Sequence, residues 1–215
     1  LLAVPIYLGS DRAPVNSMAA PWARGATETE YREYIASRFE VPPLEVIPLD
    51  IEEEGLVLRG VLYVPKSSVV SIGEFGDLDI YIRGMFIKGR DTELLPKWAR
   101  FVRGLVDSPS LSPTVSRDDI VRDETYHRAQ ALLGEAILAH LERLAREDPR
   151  QLRAIVVGHN TLIKAWALRS PPFFELIAPF VQFETDQGRL TLPKYLESVE
   201  DVKTLYYFKE AGSGT

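Results

Sequence analysis

From residue 44 to 64 the pattern changes to a period of two in two β-rich runs, separated by Glu52-Glu53-Glu54-Gly55. A period of two sends successive side chains to opposite faces of a pleated strand. Two such runs, 44–51 and 56–64, joined by a polar turn with glycine where the backbone needs a positive φ, read as a β-hairpin. The hairpin commits the chain to a sheet, and the sheet to layers that cover its apolar faces. One layer is legible downstream. From residue 118 to 147, Ala129, Leu132, Leu133, Ala136, Ile137, His140, Leu141 and Leu144 recur at helical spacing with no proline before Pro149, which predicts a long amphipathic helix. Gly134 inside it costs roughly 1 kcal/mol relative to alanine, a cost that close packing against a neighbour explains. His140 on the apolar face reads as a packed or half-exposed core residue.

The flanking stretches fill in the order of elements. Residues 1–8 are apolar and β-rich, with Pro5 marking an edge or extended arm. Asn16, Pro21 and Trp22 lie in an irregular stretch, and Trp22 either plugs the core or contacts apolar partner surface. Thr27 and Glu30 form a Thr-x-x-Glu capping box before Tyr31, Tyr34, Ile35 and Phe39, a short amphipathic helix that ends ahead of Pro42-Pro43. Residues 66–77 read as a loop, residues 78–87 as one alternating strand, Asp91 as the cap of a short helix, and residues 101–106 as a strand. Beyond Pro149, residues 152–157 and 162–168 read as helices, Pro171-Pro172 opens another, and 180–184 is short and β-like. Asp186-Gln187-Gly188 is a turn, Thr191-Leu192-Pro193 opens a helix, and 204–208 is a strand.

The expected fold is α/β with α+β layering. A large unit spans 1–147 with a loop at 108–118, a helical connector spans 148–180, and a small α/β subdomain begins at 181–215. The start at Leu1 and the linker-like tail Glu210-Ala-Gly-Ser-Gly-Thr215 read as those of an excised fragment.

Composition removes several function classes. Acidic residues number 31 against 25 basic, so no broad cationic face is available for a nucleic-acid backbone. The absence of cysteine excludes a disulfide scaffold and a thiolate nucleophile and fits a cytoplasmic location. His127, His140 and His159 form no close ligand pair, so no metal site is expected. No apolar run approaches the ~20 residues of a membrane span. Phosphate-loop, GxGxxG and GxSxG motifs are missing. Asp118-Asp119 reads as a charge pair at a helix N-terminus and Glu52–Glu54 as a solvated turn.

One stretch carries candidate chemistry. Residues 101–118, FVRGLVDSPSLSPTVSRD, run from an apolar strand into a loop of proline and serine and then to Arg117, read as the start of a helix. Turn formers fix such a loop locally and present a side chain. The planar, permanently charged guanidinium of Arg117 suits a cluster of anionic oxygens such as a phosphate, although an arginine near a helix start is also an ordinary solvated residue.

Several short stretches in order resemble the middle segment of the heat-shock-protein-90 chaperones, in their bacterial, HtpG-like form. They include Pro5 to Leu8, Pro21-Trp22, Gly60 to Pro65, Ile80 to Arg83, Phe86-Ile87, Glu93 to Pro96, Phe101 to Ser108, Leu111, Val115-Ser116-Arg117, Leu190 to Leu192 and Leu205 to Phe208. The run from Glu93 to Arg117 is the specific part. The resemblance implies an αβα-sandwich similar to the ribosomal-protein-S5-domain-2-like fold. It also implies a stress-response chaperone in which a GHKL-type N-terminal domain binds ATP with Mg2+ and a C-terminal domain makes the homodimer.

The middle segment would then supply an arginine to the γ-phosphate, and Arg117 is the residue that matches it. Trp22 would belong to a surface that binds unfolded client proteins. The fragment alone would not hydrolyse ATP, and neither nucleic acid nor membrane is an expected partner. Three places depart from the family pattern. Thr114 stands where members usually carry asparagine, Val121 where they carry glutamine, and Lys66-Ser-Ser-Val-Val70 replaces an aromatic-bearing loop. Valine has nothing to donate to a phosphate. The other reading is a noncatalytic interaction module that kept the fold and binds through its acidic face. A self-contained small-molecule enzyme would need a pocket that the sequence does not identify.

Overall fold

The computed structural model describes residues 20–23, 25–66 and 78–199, together with Gly9. The sequence expectations for residues 1–8, Asn16, residues 67–77 and 204–208 lie outside the described residues. After a 3-10 turn at Pro21–Ala23, the elements run α1 (Glu28–Phe39), β1 (Pro43–Glu53), β2 (Leu56–Pro65), β3 (Leu78–Ile82), β4 (Met85–Asp91), β5 (Arg103–Asp107) and α2 (Glu124–Glu147). They continue with α3 (Pro149–Gly158), α4 (Asn160–Trp166), α5 (Pro171–Ile177), β6 (Gln182–Thr185), β7 (Gly188–Thr191) and α6 (Leu192–Ser198).

The first hairpin forms as its period predicts. β1 pairs antiparallel with β2, and Glu54 and Gly55 both adopt positive φ in a two-residue turn. β1 is an edge strand of a five-stranded sheet ordered β1-β2-β5-β3-β4, which tolerates Pro48 in its middle. Alternation then builds two cores. Ile47, Leu49, Leu58, Leu62, Leu78, Ile80 and Val106 face the long helix side, whereas Val46, Val61, Tyr63, Tyr81 and Leu105 meet Tyr31, Tyr34 and Ile35 of α1. The result is helix, sheet, helix in three layers. α1 begins with the predicted capping box: the Glu30 backbone N–H donates to Thr27 Oγ1 at 3.4 Å and the Thr27 N–H donates to Glu30 Oε2 at 2.7 Å.

Three sequence expectations change. Residues 78–87 are not one strand, because Arg83 and Gly84 both take positive φ and turn the chain back, so β3 and β4 form a second hairpin. The sheet is mixed, since β3 lies parallel to β5. The segment between β4 and β5 makes the crossover such a pair needs, and it buries Leu94, Leu95, Trp98, Ala99, Phe101 and Val102 in the larger core. Asp91 does not open an α-helix; its Oδ1 accepts from the N–H groups of Glu93 and Leu94 at 2.9 and 2.7 Å in a bend before the 3-10 turn at Lys97–Ala99. Strand β7, at Gly188–Thr191, was not foreseen; it pairs with β6 across the predicted turn.

The long helix also starts later than its apolar pattern implies, at Glu124, with Asp123 accepting from the Tyr126 N–H at 2.9 Å as N-cap. Along α2 the predicted stripe is buried apart from the partly buried Ala136 and His140, and Gly134 sits against Pro96, where an added Cβ would lie 3.3 Å from the ring Cγ. His140 is packed as expected. Its Nε2 lies 2.9 Å from Oε1 of buried Glu45, whose Oε2 accepts from Gln151 Nε2 at 2.8 Å. Burial raises the Glu45 carboxyl, but the bonds from His140 and Gln151 outweigh it and hold the group below its ordinary value. The helices beyond Pro149 join the same core through Leu152, Ile155, Val156, Leu162, Ile163, Phe173 and Ile177. His159 is buried among them, with Nε2 2.9 Å from the Pro65 carbonyl and, among the described residues, no partner for Nδ1.

Two glycines hold the middle of the sheet together. Gly60 on β2 and Gly104 on β5 take φ of 150° and 149°, and an added Cβ would lie 2.3 Å from the Leu105 carbonyl oxygen and 2.2 Å from that of Val61, respectively. Gly104→Ala should therefore lower unfolding free energy by about 3 kcal/mol or more, measured by urea denaturation, because strain and backbone overlap add at one position. A second expectation concerns pH. Burial lowers the His159 pKa, so the unfolded chain takes up a proton first as pH falls below its ordinary value of 6.5. Stability attributable to His159 is complete above that value and is lost on acidification, by at most about 1.4 kcal/mol per pH unit. His159→Gln, which keeps a donor for Pro65, should flatten the stability profile between about pH 7 and pH 5.

Candidate functional site

Strand β5 ends at Asp107, and the chain leaves the sheet through a pair of serines. Buried Ser108 donates its hydroxyl to the Val57 carbonyl at 2.6 Å and its N–H to the Tyr81 carbonyl at 3.0 Å. Ser110 donates its hydroxyl to the Gly55 carbonyl at 3.1 Å and accepts from the Val57 N–H at 3.1 Å. These bonds splice the start of the loop to β2 and to the turn of the first hairpin. Leu111 then points inward and is buried.

From there the chain makes a small antiparallel excursion. The Val121 N–H donates to the Ser112 carbonyl and the Thr114 N–H to the Asp119 carbonyl, each at 2.9 Å, and Pro113 bridges to Ile120, which is buried. This pairing is why residues 118–122 are not helical. The tip is tied internally: Thr114 Oγ1 lies 3.2 Å from Asp118 Oδ1, and the Ser116 hydroxyl donates to the same oxygen. Those two hydroxyls hold the Asp118 carboxyl below its ordinary value. The sequence expectation of a helix-terminal charge pair at Asp118-Asp119 is thus replaced by two separate roles, because Asp119 turns away to Lys88 and Arg122.

Arg117 stands at the apex of this excursion, not at a helix start. Its φ is 60° and its N–H donates to the Thr114 carbonyl at 2.9 Å. A left-handed conformation is costly for a residue with a Cβ, and here the tip hydrogen bonds maintain it. Among the described residues the Arg117 side chain is exposed and has no hydrogen-bond or ion-pair partner. Arg122, five positions on, is fully engaged: Nε donates to Glu93 Oε2 at 2.8 Å and Nη1 to Asp119 Oδ2 at 3.3 Å.

Trp22 occupies the 3-10 turn Pro21–Ala23 and is half-buried. Its ring meets Tyr34 edge-on at 5.7 Å, and it borders a cleft of about 500 Å³ shared with Asp50, Arg59, Arg83, Asp107 and Pro109. Of the two roles left open by the sequence it takes the packing one, on the α1 core, and it also lines this recess. Pro109 and Asp107 place that recess at the root of the Arg117 loop. Thr114 is occupied within the tip, and Val121 is partly exposed.

The sequence did not single out Ser108, Ser110, Lys88, Asp119 or Arg122 as determinants of the loop. Their partners lie 27 to 55 residues away or within the excursion itself, and no local spacing announces them. No group of three or more histidine, aspartate or glutamate side chains placed to hold a metal occurs among the described residues, and no helix there is long and apolar enough to cross a membrane.

Comparison with known proteins bears on the whole chain. The Hsp90 protein family model matches residues 10–214. The chaperone protein HtpG of Chlorobium chlorochromatii is 28% identical over 221 residues, covering 94% of this chain and 34% of that protein. HtpG of Frankia casuarinae is 28% identical over 206 residues, covering 91% of this chain and 32% of its own. The chain thus spans about a third of the length of the curated relatives it matches. Among solved structures, the middle domain of a Plasmodium falciparum heat shock protein superposes with a TM-score of 0.63 at 18% identity, over 83% of this chain and 74% of that one. With a family model spanning nearly all of its residues, the chain belongs to the Hsp90 family, and it shares the fold of a heat shock protein's middle domain.

Proposed function

We propose that this chain serves as the middle domain of an ATP-dependent folding chaperone and that Arg117 is its contribution to hydrolysis. One observation carries the reading: a guanidinium without a partner among the described residues, at the apex of a loop whose two limbs are both tied to the sheet. A cation held at a protein surface without a counterion is available to an anion from outside the chain.

The residues present fit one half of a nucleotide site. ATP and its Mg2+, bound by the neighbouring N-terminal domain, would bring negative oxygens to Arg117. Asp118 is committed to the Thr114 and Ser116 hydroxyls and Asp119 to Lys88 and Arg122, so neither is offered to a metal. Arg117 would place two N–H donors on γ-phosphate oxygens and stabilise the charge that develops there. Because the loop is already ordered, little freedom is lost when it docks. Unfolded clients would contact the recess beside Trp22, and the complete protein would act as a cytoplasmic homodimer. Residues 1–147, 148–180 and 181–215 would be the large unit, connector and start of the small subdomain.

A second reading rests on the net charge of −6, which also suits a noncatalytic interaction module that contacts a basic partner through its acidic face. Nucleotide turnover by the full-length protein separates the two, because only the first requires it.

In the full-length protein, Arg117→Ala should leave nucleotide affinity and melting temperature unchanged and cut ATP hydrolysis by about tenfold or more, measured under saturating nucleotide. Turnover equal to the parent protein would remove the catalytic role. Trp22→Ala should cost about 1 kcal/mol of stability through loss of the Tyr34 contact and weaken suppression of client aggregation, read by light scattering. Undiminished suppression would take Trp22 out of the client surface.

A further inference from the structure

The two limbs of the Arg117 loop are held by different physics. Residues 108–111 are fixed by neutral hydrogen bonds to backbone and by a buried leucine. Residues 118–122 share the backbone pairing with residues 112–114 and the buried Ile120, and charge in addition ties them to β4. Lys88 on β4 places Nζ 2.9 Å from Asp119 Oδ1 and 3.0 Å from Asp91 Oδ2. Asp119 Oδ1 also accepts from the Ile120 N–H at 2.8 Å, and its Oδ2 lies 3.3 Å from Arg122 Nη1. Arg122 closes the chain on Glu93 through Nε and Nη2. Reading along it, charges alternate: Asp91, Lys88, Asp119, Arg122, Glu93.

Asp91 and Glu93 are fixed outside the loop. Asp91 is buried, and its other oxygen accepts from the N–H groups of Glu93 and Leu94. Each cation therefore joins a carboxylate of this anchored bend to Asp119, which lies two residues from Arg117. The carboxyl of Asp119 sits below its ordinary value, with the bond from Lys88 as the largest cause. Apart from Asp91 the members are partly exposed, so salt weakens the chain of charges, whereas it leaves the serine anchors untouched.

We infer that Lys88 and Asp119 are positioning residues that latch the second limb of the loop to β4 and so set where Arg117 is presented. The inference rests on the proposed role of Arg117 for its consequence in hydrolysis, but the latch itself is a property of this chain. Loosening it spreads Arg117 over many positions, of which few meet a phosphate.

The chain has no cysteine, so Val115→Cys at the exposed tip gives one attachment point for a nitroxide spin label. The expected result is an ordered spectrum in the parent, a more mobile one in Asp119→Asn and in Lys88→Met, and recovery of order in Lys88→Arg. Raising salt to about 1 M should move the parent spectrum toward that of the variants. Asp119→Asn keeps an acceptor for the Ile120 N–H and leaves Asp91 paired, so it reports on the latch even if Lys88→Met fails to fold.

In the full-length protein, kcat for ATP should fall about fivefold in Asp119→Asn, as expected for loss of a weak, partly exposed ion pair, with KM unchanged and Lys88→Arg near the parent. Unchanged label mobility in both variants overturns the latch. A loosened label with normal kcat, while Arg117→Ala is impaired, overturns positioning. A loosened label with normal hydrolysis by Arg117→Ala leaves the latch standing and overturns the catalytic role of Arg117 instead.

Discussion

The close approach of β2 and β5 is the contact on which the rest of the architecture depends. Gly60 and Gly104 let the two backbones meet where a Cβ on either would overlap a carbonyl oxygen. With β5 seated against β2 on one side and against β3 on the other, the two hairpins become one sheet. The loop that carries Arg117 leaves the sheet directly from the end of β5. Its position is therefore inherited from the most constrained pairing in the molecule, and Ser108 and Ser110 carry that constraint a few residues further by bonding back to Val57 and Gly55.

The loop divides order from adjustability. The hydrogen bonds of Ser108 and Ser110 to the first hairpin carry no net charge for salt to screen. The ion pairs on the other limb are partly exposed and individually weak, so that limb responds to salt and to competing anions while the first does not. Arg117 lies at the junction, in a left-handed conformation kept by the hydroxyls and carbonyl of the tip. Under the proposed function, such a cation would be ordered in advance yet able to accommodate a ligand carried by another part of the protein.

Much of the fold was legible in short-range pattern. The Thr27–Glu30 capping box, the Glu54-Gly55 turn and the apolar stripe of α2 each depend on neighbours within a few residues, and each appears as expected. The misread places have a common cause. Residues 78–87 alternate as one strand, but Arg83-Gly84 spends its positive φ on a turn that Asp107 supports by accepting the Gly84 N–H from a different strand. Residues 118–122 extend the helical pattern of α2, yet their backbone groups pair with residues 112–114, and Lys88 draws Asp119 away from any helix. Strand β7 is only four residues long and is completed by β6.

For the candidate site, local composition and family resemblance together isolated Arg117 and Trp22, because a guanidinium in a turn-rich loop and a tryptophan beside proline are visible in the residues themselves. What they touch was not visible. The sequence by itself determined the periodicities, caps and turns, and with them a layered α/β chain bearing one arginine on an irregular loop. Only the tertiary structure decided that β3 runs parallel to β5, that α2 begins at Glu124, and that Arg117 sits at the tip between a hydrogen-bonded limb and a charged one. Those outcomes depend on contacts between residues tens of positions apart, whose free energy no local pattern records.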